Sequence, residues 1–131
     1  MRPVVLPDLA VPLAPLTTLR LGGPARRLVD AESADEVVDA LREPALVIGS
    51  GSNLVIADAG WPGTVVRIST RGRRVERRPD GSVLLTVEAG EEWDDVVAAT
   101  VDDGFGGLEC LSGIPGRTGA VLVQNVGAYG V

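Results

Sequence analysis

Histidine and lysine are both missing from the 131 residues, cysteine occurs once, and aromatic side chains make up 3%. Without lysine, no Walker-type G-x-x-x-x-G-K-[ST] phosphate loop can form. The single thiol, Cys110, cannot close an intrachain disulfide, so nothing implies an oxidising compartment. With so few rings, the core has to be built from Val, Leu, Ile and Ala, which suits packed β/α layers. No apolar run approaches the roughly 20 residues of a membrane span. Prolines at positions 3, 7, 12 and 15 break up the N-terminal stretch, which reads as an extended arm over residues 1–16 rather than a signal peptide. A cytoplasmic protein with no membrane partner is expected.

Positive charge is also scarce. The formal net charge is −6, which argues against a dedicated nucleic-acid binder, because neutralising phosphates needs an excess of cations on one face. All twelve basic residues are Arg, and six of them (67, 71, 73, 74, 77 and 78) fall close together. This cluster reads as the solvated face of a hairpin.

What is present points to two small lobes. In the first, residues 17–71, a Gly22-Gly23-Pro24 turn precedes a short strand at 25–29. The segment ESADEVVDALREP then carries a helix signature: Ser33 as cap, Glu36 closing a capping box, Val37, Val38 and Leu41 along one side, and Pro44 as terminator. A buried strand at 45–48 completes a β-α-β unit and runs straight into Gly49-Ser50-Gly51-Ser52-Asn53, and residues 54–57 and a strand at 64–69 follow. The second lobe, 72–131, opens with a hairpin turning at Pro79-Asp80-Gly81. A helix follows at about 92–101, with Trp93, Val96, Val97 and Val101 inward and Gly104 as its stop. From there the chain is glycine-rich. It ends on an unfinished Gly-Ala-Tyr-Gly element, so this lobe is expected to be incomplete and the natural protein longer.

The loop GSGSN admits two readings. Its spacing is not the G-x-G-x-x-G of a dinucleotide fold, and β-like residues follow it rather than a helix. Successive backbone N–H groups in a glycine loop can nonetheless converge on an anion without a helix dipole, and glycine removes the Cβ atoms that would hold a phosphate away. A plain turn fits equally well. The later small-residue segments GIPGRTGA and QNVGAYG offer a second bare wall, along which a flat, elongated ligand could lie; tight turns between short strands would use the same glycines.

Five segments in register carry a resemblance: TTLRLGGPA at 17–25, GSGSNL at 49–54, VEAGEEW at 87–93, GLECLSGIPG at 107–116 and QNVGAYG at 124–130. Together they resemble the UDP-N-acetylenolpyruvoylglucosamine reductases, flavoenzymes that make UDP-N-acetylmuramate for peptidoglycan. The resemblance implies an α+β fold of the vanillyl-alcohol-oxidase type, two small α/β lobes holding FAD, truncated before the substrate domain. It implies that Gly49, Ser50, Gly51, Ser52, Asn53 and Leu54 match the pyrophosphate loop. Ile114, Pro115, Gly116, Thr118, Gly119 and Ala120 match a wall along the FAD, continued by Gln124, Asn125, Gly127, Ala128 and Tyr129. Arg20 and Gly22-Gly23 match an element of structural role. NADPH is the implied hydride donor of the full-length enzyme, and a UDP-sugar substrate is implied only with the missing C-terminal region. The family's catalytic residues lie downstream of Gly-Ala-Tyr-Gly, so none is assigned, and the fragment alone is expected to be inactive. Arg117-Thr118 and Val121-Leu122 depart from the family pattern beside the flavin wall.

Other readings stay open: a scaffold of the same fold that binds a partner, or self-associates through surface exposed by truncation, or another flavin oxidoreductase. A covalent flavin could use only Cys110, whose neighbours Glu109 and Leu111 offer nothing to activate a thiol; a buried or semi-buried inert thiol is expected. Trp61 reads as packing under a loop. Asp94-Asp95 and Asp102-Asp103 read as solvated carboxylates rather than metal ligands, because adjacent helical residues point apart. The role of Glu109 is open.

Overall fold

The structure, a computed structural model, describes residues 10–130. The chain divides into two compact units, the first ending at Thr70 and the second beginning at Arg71.

The first unit is a four-stranded sheet with one helix. Its strands are β1 (Val11–Pro12), β2 (Pro24–Ala31), β3 (Ala45–Ile48) and β4 (Trp61–Ile68), with α1 (Ala34–Ala40) between β2 and β3. The spatial order is β1-β2-β4-β3. β1 pairs antiparallel with β2, while β2, β4 and β3 run parallel. Parallel neighbours need a crossover, and here α1 supplies one and residues 49–60 the other. Val65 and Val66, adjacent on the central strand, are both fully buried, so β4 is covered on both faces. One side packs Leu13, Ala25, Ile48 and Val65 with Leu16, Leu28, Leu46, Leu54 and Ile56 around them.

Within the stretch read as an arm, residues 1–9 lie outside the described residues. The remainder is tied into the unit: β1 joins the sheet, a 3-10 turn follows at Ala14–Leu16, and Leu13 is fully buried. Ser33 caps α1 by accepting from the Glu36 N–H, as expected. Glu36 reaches back to the N–H of Glu32 instead of the cap residue's own. The expected apolar side of α1 is only partly buried. Val38 is 62% and Leu41 43% exposed, because a helix of two turns touches the sheet along a narrow line that takes in Val37 and leaves its neighbours at the rim.

The second unit holds the hairpin β5 (Arg73–Arg77) and β6 (Val83–Val87), then α2 (Trp93–Asp102), a 3-10 turn (Glu109–Leu111) and α3 (Thr118–Val123). The turn between the strands is held by Asp80, whose carboxylate accepts from the Ser82 N–H and hydroxyl. Every residue of β5 is exposed, so its arginines form a solvated face. Two of them are anchored: Arg73 pairs with Asp103, and Arg77 lies over the Phe105 ring, 5.1 Å from its centroid. On α2 the buried stripe runs Trp93, Val96, Val97 and Thr100, at i, i+3, i+4 and i+7. Val101, expected inside, is 52% exposed, one step past that stripe.

Both longer-range helix endings follow one design. After α2, Gly104 at φ +74 sends its N–H to the Val101 carbonyl while Phe105 reaches Thr100. After α3, Asn125 at φ +54 bonds Leu122 while Val126 reaches Val121. These are Schellman terminations, each with a left-handed residue just past the helix. Trp93, Val97, Leu111 and Val121 form the unit's core, with Leu108, Ile114, Val126 and Ala128 against it.

Candidate coenzyme-binding loops

The loop at 49–54 leaves the carboxyl end of β3, the edge of a parallel sheet where ligands ordinarily bind. Its shape is set by its own unit. Gly51 is buried at φ +67, and a Cβ there would sit 2.1 Å from the Leu16 carbonyl oxygen and 2.9 Å from the Thr17 Cα. The Gly51 carbonyl accepts from the Thr18 N–H at 3.1 Å. Two of the sequence segments, 17–25 and 49–54, are thus in direct contact. Leu54 turns into the core. Among the described residues, no backbone carbonyl accepts from the N–H groups of Ser50, Gly51 or Asn53. Free main-chain donors on a loop of small residues suit a phosphate, so the residues fit the anionic part of a dinucleotide coenzyme.

In the second unit, residues 89–94 stitch down the loop at 111–119. The Ala89 carbonyl accepts from the Gly119 N–H, and that of Glu91 from both the N–H and hydroxyl of Thr118. The Trp93 N–H donates to the Gly116 carbonyl and its indole N–H to that of Leu111. Asp94 Oδ1 accepts from the Ser112 hydroxyl at 2.8 Å and the Gly113 N–H at 2.7 Å. These bonds, that from Gly113 first, hold the Asp94 carboxyl below its ordinary pKa. Glu91 is held down likewise, by the Gly72 N–H first and then Arg71. Arg117, one of the departures from the family pattern, is buried and donates Nε–H to Glu92 at 3.2 Å. No structural reason emerges for Val121-Leu122 beyond Val121 entering the core.

The expected wall residues therefore divide. Ile114 and Ala128 place their side chains on the core. Thr118 and Gly119 spend their N–H groups inside the unit, and Gly119 lacks a Cβ because Ala89 would stand 2.8 Å from it. Ala120 begins the helical bonding of α3. Asn125 ends α3. Pro115, Gln124 and Gly127 are exposed, and Tyr129 is 94% exposed at φ +55. The unit's cleft of ≈ 900 Å³ lies elsewhere, between β6 and α2, lined mainly by Val83, Leu85, Val87, Val96 and Leu108; of the expected residues only Thr118 reaches it.

Sequence reasoning missed α3 and the stitching carboxylates. Asp94 is solvated, as expected, but it also holds a loop 18 residues away, a pairing for which the sequence carries no local signal. Cys110 was expected buried or half-buried and is exposed: its 3-10 turn points Leu111 into the core and Cys110 outward. Glu109 accepts from the Gly107 N–H, which closes its own loop. No group of three or more potential metal ligands occurs among the described residues.

A bare glycine loop at the carboxyl edge of a parallel sheet is the arrangement in which open α/β sheets hold nucleotide coenzymes. The chain belongs to the FAD binding domain family, which matches residues 25–131. It is 63% identical over 125 residues to the UDP-N-acetylenolpyruvoylglucosamine reductase of Saccharopolyspora erythraea, covering 91% of this chain and 34% of that protein. It is 54% identical over 132 residues to the same-named protein of Salinispora arenicola, covering 96% and 36%. The solved UDP-N-acetylenolpyruvylglucosamine reductase from Thermus caldophilus superposes with a TM-score of 0.74 at 31% identity, covering 98% of this chain and 44% of that one. The chain thus spans about a third of the length of the curated relatives it matches. Its cofactor is FAD. No helix among the described residues is long and apolar enough to cross a membrane.

Proposed function

We propose that this chain is the FAD-holding part of a UDP-N-acetylenolpyruvoylglucosamine reductase, an NADPH-dependent oxidoreductase of peptidoglycan synthesis in the cytoplasm. In this assignment lobe 17–71 offers Gly49, Ser50, Gly51, Ser52, Asn53 and Leu54 to the pyrophosphate. Lobe 72–131 offers main chain at 114–116 and 118–120 and the stretch 124–129 to the rest of the coenzyme. The observation that carries it is the set of unbonded N–H groups at Ser50, Gly51 and Asn53 on a loop of an FAD binding domain. When bound, FAD supplies the hydride chemistry. This chain's part is to bind and orient it, with small residues that let main chain approach the phosphates and with Ile114 and Ala128 held by the core. The UDP-sugar substrate and the catalytic groups belong to the remaining two thirds of the relatives' length, so the chain by itself reduces nothing.

Adding FAD to the purified chain is expected to quench flavin fluorescence with one-to-one stoichiometry at micromolar concentration. No turnover of NADPH with UDP-N-acetylglucosamine enolpyruvate should accompany it. Absence of binding at micromolar FAD would overturn the proposal.

A further inference from the structure

Two consecutive residues at the start of α2 hold the whole loop Leu111–Gly116. Trp93 takes its ends, through the indole N–H to the Leu111 carbonyl and the main-chain N–H to that of Gly116. Asp94 takes its middle, where one oxygen, Oδ1, accepts from both the Ser112 hydroxyl and the Gly113 N–H. Apart from these bonds, the middle is tied by the long bond from the Ser112 N–H to the Glu109 carbonyl, 3.4 Å. Ser112 and Gly113 are exposed, Gly113 sits at φ +79, and no atom lies within 4 Å of where its Cβ would be. Glycine is there for its left-handed backbone and not because the space is full, and a glycine in open space has many conformers of similar energy.

We infer that Asp94 is a positioning residue for FAD: by accepting from Ser112 and Gly113 it selects the one conformer of the 112–116 loop that presents its main chain to the coenzyme. This rests on the assignment of residues 114–116 to the FAD wall. Asp94 is itself exposed, so its loss leaves neither a cavity nor a buried orphan, and the unit should stay folded. What falls is the fraction of molecules with the loop ready. A drop of that fraction to about a tenth weakens the apparent affinity roughly tenfold.

The bland alternative is that Asp94, in the first turn of α2, merely complements the helix dipole. The two roles respond differently to asparagine, which keeps an oxygen acceptor at Oδ1 and removes the charge. The test measures FAD dissociation constants of the full 131-residue chain by flavin fluorescence for wild type, Asp94→Ala and Asp94→Asn. Amide exchange of Gly113 and the far-UV spectrum are followed in parallel. Expected are a roughly tenfold weaker D94A with faster Gly113 exchange and unchanged helix signal, and a D94N within about twofold of wild type. Equal affinity in D94A overturns the inference and leaves the FAD assignment standing, as does D94N falling as far as D94A. Failure of wild type to bind FAD overturns both. Should D94A not fold, Ser112→Ala removes one of the two donors alone. A smaller loss in the same direction supports the inference, and no loss overturns it.

Discussion

Replacing Gly51 by alanine separates two reasons for a glycine in the phosphate loop. One reason is ligand access. The other is the chain's own packing, and the geometry favours it: the added methyl would stand 2.1 Å from the Leu16 carbonyl oxygen, at a φ of +67. The left-handed backbone costs an alanine about 1–2 kcal/mol, and forcing an atom into a filled space costs about 1–3 kcal/mol more. The neighbours here are backbone atoms, which cannot swing aside as a side chain would. A total of about 2–5 kcal/mol is a large share of the roughly 5–15 kcal/mol that holds a domain together. Equilibrium urea unfolding without FAD should therefore show a much lower midpoint for G51A with the slope unchanged. Ser50→Ala, on the same loop, should leave the unfolding free energy within about 0.5 kcal/mol of wild type. If G51A unfolds like wild type in the absence of FAD and only loses affinity, the packing argument is wrong.

Asn125 should behave as a helix terminator: Asn125→Gly leaves stability equal or higher, while Asn125→Ala lowers it by roughly 1 kcal/mol, read from thermal midpoints. Glu91 gives a pH signature. Its pKa is lowered in the folded chain, so its contribution is present above the ordinary value of about 4.3 and is lost as pH falls through the lower folded value. The difference in unfolding midpoint between wild type and Glu91→Ala should be full at pH 7 and shrink as pH falls below the ordinary value. A difference that grows on acidification would reverse the sign and refute the assignment.

Much of the fold was legible because local chemistry and tertiary need agree. Ser33 caps α1, Asp80-Gly81 turns the hairpin, and Gly104 stops α2, each through bonds that span only a few residues. The apolar runs at β3 and β4 likewise mark strands of the parallel sheet, although β3, expected buried, lies at the sheet edge, where only Ile48 is buried and Val47 is 46% exposed. Strand β4 nevertheless begins at Trp61, earlier than its apolar residues suggest, because pairing with β2 extends it across Pro62-Gly63. Helix α3 escaped notice: six residues with glycine at the second position have weak propensity, and the helix persists because Glu91 and Ala89 accept from its first N–H groups. The loops at 49–54 and 114–129 could be marked as small-residue segments. Which glycine serves the chain and which serves a ligand could not be read, since that depends on Leu16 and Ala89, 35 and 30 residues away from Gly51 and Gly119 respectively. The exposure of Cys110 and the bonding of Asp94 were hidden for the same reason.

The central claim is that FAD meets this chain on main chain of these two loops. Amide chemical-shift mapping of the labelled 131-residue protein during an FAD titration tests it most directly. The account predicts the largest shifts at Ser50, Gly51, Asn53 and Gly116, with little change at Leu85 and Val96 in the cleft beside β6. Shifts concentrated in that cleft, or none at saturating micromolar FAD, would contradict it.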